Sequence, residues 1–68
     1  VELSARNQLK GTVRSVRLGG IMAEVEVEVG DQEVVAAITR ASVERLGLAE
    51  GMPITVIIKA TEVMLAKD

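Results

Sequence analysis

Ile21-Met22-Ala23-Glu24-Val25-Glu26-Val27-Glu28-Val29 decides the fold class of this chain. Its odd positions are Ile, Ala and Val, and its even positions are Met and Glu. Strict alternation of this kind puts an apolar face opposite an acidic one, as in a half-buried β-strand. Gly19-Gly20 before it suits a tight hairpin turn because both residues tolerate positive φ, and Gly30-Asp31 after it reads as the next hairpin turn. Eleven Val and five Ile among 68 residues favour strands through the rest of the chain.

Upstream, residues 9–18 form a second strand with a fault in its period. Leu9 and Val13 share one parity, Val16 and Leu18 the other. A phase switch of this kind is expected at a bulge or sharp bend, where the strand changes the face it buries. Downstream, Val34, Ala36 and Ile38 alternate with Glu33, Val35 and Ala37, so this strand is apolar on both faces at its far end and something is expected to cover both. A short helix follows. Thr39 or Ser42 can cap its start, Val43 and Leu46 share a face, and Gly47-Leu48 fits a Schellman ending. Residues 49–53 read as a turn, 54–59 as a strand and 62–66 as a short last strand. Residues 1–5 also alternate, over too few positions to stand alone. This order is that of an all-β fold: a small five-stranded Greek-key OB-like barrel, with one short helix between strands 3 and 4. The whole chain, residues 1–68, is expected to be a single domain.

Composition narrows the chemistry. A domain this small buries only about 60% of its unfolded surface and usually needs an extra source of stability. There is no Cys for disulfides and no His for a zinc site. Oligomerisation is the remaining source. Without Phe, Tyr or Trp no ring can stack on a nucleobase, and eight basic residues against ten acidic ones do not make a basic stripe. Nucleic acid is therefore not an expected partner, and no apolar run is long enough for a membrane span. No signal-peptide pattern opens the sequence, so a soluble cytoplasmic protein is expected.

No histidine or cysteine can act as base or nucleophile, so no enzyme is expected. Glu24, Glu26 and Glu28 could hold a cation. The simpler reading is a solvated face paired with Lys10, Arg14 and Arg17 on the preceding strand. Three polar breaks remain: Ser4-Ala5-Arg6-Asn7-Gln8, Thr39 and Lys59-Ala60-Thr61. Each has an ordinary structural role as lead-in, helix cap or turn. Together they offer a guanidinium, an ammonium, hydroxyls and backbone N–H groups, a donor set that suits a small tetrahedral oxyanion.

Ser4-Ala5-Arg6-Asn7-Gln8-Leu9-Lys10-Gly11 resembles the opening signature of molbindins, the Mop-type molybdate-binding domains of the TOBE group. Gly47-Leu48, Glu50-Gly51 and the run from Val56 through Lys59-Ala60-Thr61 to Met64 resemble the family's second half. The resemblance implies an OB-like barrel that binds molybdate or tungstate as its ligand, with no organic cofactor. It implies a homohexamer, a trimer of dimers, with oxyanions at subunit interfaces. Ser4 and Arg6 then match the N-terminal anion ligands, with Asn7 close by, and Lys59 matches the basic ligand. The residue after it also contributes in the family, and some relatives carry Ser there. Ala60 offers only its backbone N–H, with Thr61 as a substitute hydroxyl. Thr39 matches an anion-contacting position of related regulators. A second class of site, on a symmetry axis, falls near Gly20, Ile21 and Met22. The alternatives are an oxyanion-sensing module or an OB-type adaptor that acts through a partner protein.

Overall fold

The computed structural model describes residues 3–68. Strand β1 (Asn7–Leu18) is followed by β2 (Met22–Val29), β3 (Gln32–Thr39), helix α1 (Arg40–Leu46) and β4 (Pro53–Ile58). The strands form one antiparallel sheet in the order β3-β2-β1-β4. The architecture is mostly β and OB-like, with four antiparallel strands and one short helix.

The long first strand is shared between two partners. Residues 12–18 pair with β2, and residues 7–12 pair with β4. The register shifts between Val13 and Ser15, leaving Arg14 as the extra residue. This is the bulge expected from the parity switch, and it lets β1 bend from one partner to the other. Backbone bonds from Val13 N–H to the Met52 carbonyl and from Gly51 N–H to the Val13 carbonyl, both 2.8 Å, tie the bend to the loop before β4.

Val13, Ala23, Val25, Val27 and Val43 are buried. Four of these five lie on β1 and β2, on the face predicted to be apolar. The opposite face behaves as a paired polar surface. Arg14 Nη1 lies 3.2 Å from Glu28 Oε2, and Arg17 Nη1 lies 3.8 Å from Glu24 Oε1. Glu26 accepts a 2.6 Å bond from the Ser15 hydroxyl. Lys10 is on the half of β1 that pairs with β4, opposite Thr55, so the bulge removes it from the acidic ladder. These ion pairs are solvent-exposed and add little stability.

Helix α1 has both predicted ends. The Thr39 hydroxyl accepts from Ser42 N–H at 3.1 Å and donates to Ser42 Oγ at 2.8 Å. Gly47 takes a left-handed φ of 64°, and the bonds from Gly47 N–H to Glu44 O and from Leu48 N–H to Val43 O complete a Schellman motif. Thr39→Ala is expected to cost about 1 kcal/mol of stability through the lost cap, and Thr39→Ser to restore most of it. Urea unfolding checks both.

Three sequence expectations need correction. Gly19 and Gly20 do not use positive φ; a Cβ on Gly19 would lie 2.8 Å from the Met22 carbonyl oxygen, so crowding in the turn explains that glycine. The outer face of β3 is uncovered in the single subunit, with Val35 55% exposed. Residues 62–66, expected as a fifth strand, pair with nothing among the described residues. The chain instead makes a 3-10 turn at Ala60–Glu62, and residues 63–68 have no regular structure. A strand exists only against a partner edge, and after this turn Met64 and Leu65 are almost fully exposed, packed against no edge among the described residues. The described residues therefore form four strands, not the five expected. Of the N-terminal alternation, residues 3–6 form no strand, and Val1 and Glu2 lie outside the described residues.

Opening the sheet leaves a consequence at its two edges, β3 and β4. Between them lies an apolar trough of about 210 Å³, lined by Val25, Val27, Ile38, Leu48, Ile54 and Val56 among others.

Candidate functional site

Pairing between β1 and β4 decides where the polar breaks meet. Asn7, the first residue of β1, stands opposite Ile58, the last of β4. The run before β1 and the turn after β4 therefore emerge side by side from one end of the sheet. They enclose an open cleft of about 390 Å³ lined by Ser4, Ala5, Arg6, Lys59, Ala60 and Thr61. Five of these six were singled out from sequence. Ala5 stands in the polar run but is not among the expected ligands; Ala60, equally without a side-chain donor, entered only through the family resemblance.

Asn7 sits at the hinge of this cleft. Its side-chain amide donates to the Ile58 carbonyl at 3.1 Å, joining the two walls immediately below Arg6 and Lys59. Gln8, absent from the expected set, steadies one wall by donating to the Ala5 carbonyl at 2.9 Å. Its signal in the sequence was weak, because a lone Gln at a strand start is ordinary.

The cleft is chemically one-sided. Arg6 and Lys59 bring positive charge, Ser4 and Thr61 bring hydroxyls, and no lining residue is a carboxylate. Among the described residues neither Arg6 nor Lys59 forms an ion pair, whereas Arg14, Arg17 and Arg40 all do. Nothing in the lining suits direct coordination of a metal cation. No group of three or more His, Cys, Asp or Glu that could hold a metal ion occurs among the described residues. The arrangement can donate hydrogen bonds to, and neutralise, a small anion.

Thr39 lies elsewhere. It pairs with Met22 at the far end of β2, and Arg40 N–H bonds the Ile21 carbonyl at 2.7 Å. Thr39 thus shares the hairpin end with Gly20, Ile21 and Met22, and its hydroxyl is engaged in capping. There a shallow cleft takes in Met22, Gly19 and the Arg17–Glu24 ion pair. Gly20 and Ile21 stand at the exposed tip, with Ile21 80% exposed. Within the chain this second group brings a carboxylate and apolar surface rather than free donors.

These features define a class: a small OB-like β-module with a basic, donor-lined cleft between the run before β1 and the turn after β4. Residues 3–65 match the TOBE domain family. Molybdenum-pterin-binding protein 1 of Clostridium pasteurianum is 46% identical over 66 residues, covering 96% of this chain and 97% of its own length. A molybdate-binding protein from Sporomusa ovata superposes with a TM-score of 0.94 at 39% identity, covering 98% of this chain and 100% of that one. The molybdate-bound structure of ModG, described as a cytoplasmic molybdate-binding protein, gives 0.83 at 38% identity. That match covers 88% of this chain and 43% of the ModG chain. The chain belongs to the TOBE domain family and, within it, to the Mop-type proteins. No described helix is long and apolar enough to cross a membrane.

Proposed function

We propose that this protein binds molybdate or tungstate in the cytoplasm, without catalysis, for storage or homeostasis. The carrying observation is the cleft itself: Arg6 and Lys59, neither in an ion pair among the described residues, with Ser4 and Thr61 and no carboxylate in the lining. Charged donors aimed at one space favour a dianion. Molybdate is a pure acceptor at neutral pH, whereas hydrogen phosphate carries a proton that needs an acceptor. A donor-dominated site therefore disfavours phosphate as well as favouring molybdate. Sulfate is also a pure acceptor, and only its smaller size separates it.

The cleft of about 390 Å³ is open to solvent. A neighbouring subunit closing over it would enclose the anion, in keeping with binding at subunit interfaces; the homohexamer, a trimer of dimers, is what the family resemblance implies. A neighbour could also present Thr39, which its own subunit keeps at the opposite end of the sheet. In such an assembly residues 62–66 complete a neighbour's barrel as the fifth strand. Gly20, Ile21 and Met22 at the hairpin tip are then placed to meet their copies on a symmetry axis and form the second class of site.

Calorimetry with molybdate, tungstate, sulfate and phosphate, run on protein sized in solution, tests this reading. Binding of molybdate and tungstate with weak or absent phosphate binding is expected. No heat with molybdate, or equal affinity for phosphate, overturns it.

A further inference from the structure

Lys59, Ala60 and Thr61 line the cleft, and Ala60–Glu62 is also the turn that launches the C-terminal segment. We infer that anion occupancy and docking of residues 62–66 onto a second copy are one coupled event, so that the bound oxyanion acts as a clasp that slows subunit exchange. This inference rests on the oxyanion reading above.

The turn is lightly held. Glu62 N–H bonds the Lys59 carbonyl at 2.9 Å, Val63 N–H reaches the Ala60 carbonyl only at 3.4 Å, and no side chain caps it. The facing wall, residues 3–6, has no regular structure. Arg6 and Lys59 stand on these opposite walls, and like charges repel. A dianion between them reverses the sign of that interaction and draws the turn toward the N-terminal run. Val63 follows the turn directly, so the geometry of the turn sets the direction in which the segment leaves.

That segment has a clear destination. Val63, Met64 and Leu65 are 45%, 92% and 94% exposed in one subunit. The trough between β3 and β4 is apolar, and strands at the edges of a sheet offer a row of open backbone donors and acceptors. An extended apolar run added there gains main-chain bonds and buries its side chains, as in β-strand addition. The occupant is a second copy of this chain, because its segment is the apolar strand that each open trough lacks and each copy presents one of each. Linkage is reciprocal: if the anion favours the docked segment, the docked segment raises anion affinity by the same factor.

The test mixes unlabelled and isotope-labelled protein and follows mixed assemblies by native mass spectrometry, with sodium molybdate or sodium sulfate. Molybdate is expected to slow exchange roughly tenfold, a coupling of ordinary size, and to protect amides 60–66 from hydrogen exchange. Leu65→Asp, outside the cleft, is expected to lose affinity for molybdate; should that variant fail to fold, the wild-type measurements decide alone. Molybdate heat by calorimetry with unchanged exchange and unchanged protection overturns the coupling and leaves the oxyanion reading standing. Absence of molybdate heat overturns both.

Discussion

Arg6→Ala is expected to weaken molybdate binding by roughly 10- to 150-fold while the assembly survives. The figure follows from about 1.5–3 kcal/mol for a hydrogen bond to a charged group, at about 1.4 kcal/mol per factor of ten. Arg6 is exposed, lies outside any strand, and forms no ion pair among the described residues. Its removal therefore leaves the buried core intact and no acid unpaired among the described residues. Arg6→Lys separates charge from geometry. An ammonium keeps the attraction but loses the planar two-point donation of the guanidinium, so an intermediate affinity is expected. Calorimetry and size-exclusion chromatography on both variants check the result. An Arg6→Ala protein that assembles normally and binds molybdate with unchanged affinity removes Arg6 from the site.

The distinction between legible and illegible features follows a physical line. Val13 and Val16 revealed the bulge because a strand must keep a consistent face toward its core, and only an inserted residue can reset the parity. Gly47 and Leu48 revealed the helix end because a left-handed residue there is a local requirement. The cleft was legible as a donor set but not as a place. Ser4 and Thr61 are distant in sequence, and it took the β1–β4 pairing to bring them together. The same topology separated Thr39 from them, which no local pattern could show. Residues 62–66 are the sharpest case. Their apolar character is plain in the sequence, but whether they pair depends on an available sheet edge, and among the described residues they are paired with none. Lys10 fails as a partner for the acidic ladder for a related reason: the bulge divides β1 between two neighbours, so residues of one strand do not all face the same partner.

Gly11→Ala is expected to be the most destabilising single-methyl change in the chain. Gly11 pairs with Ile54 just where β1 leaves β2 for β4. A Cβ there would lie 2.5 Å from the Glu28 carbonyl oxygen, 2.9 Å from Val27 Cγ1 and 3.0 Å from Val29 Cγ2. Its φ is not positive, so the requirement is for space rather than for a special backbone conformation. Two of the three obstacles are side chains. The nearest is backbone, fixed by the β2 ladder, and Val27 is itself buried in the core. Relief would have to come from moving β1 off the end of β2, which opens the bend that joins the sheet halves. A cost on the order of 3 kcal/mol, the upper end for overpacking, corresponds to a fall in Tm of roughly 12–24 °C for a domain of this size. Gly20→Ala is the matching control: nothing lies within 4 Å of its would-be Cβ and its φ is not positive. There the loss of unfolded-state entropy makes a neutral or slightly stabilising result expected. The chain has no Trp or Tyr to report by fluorescence, so differential scanning calorimetry at fixed protein concentration, without molybdate, is the suitable measurement, since ligand and assembly both shift Tm. Equal melting temperatures for the two variants would show that the bend yields without cost, and that Gly11 is not what lets β1 cross from one partner to the other.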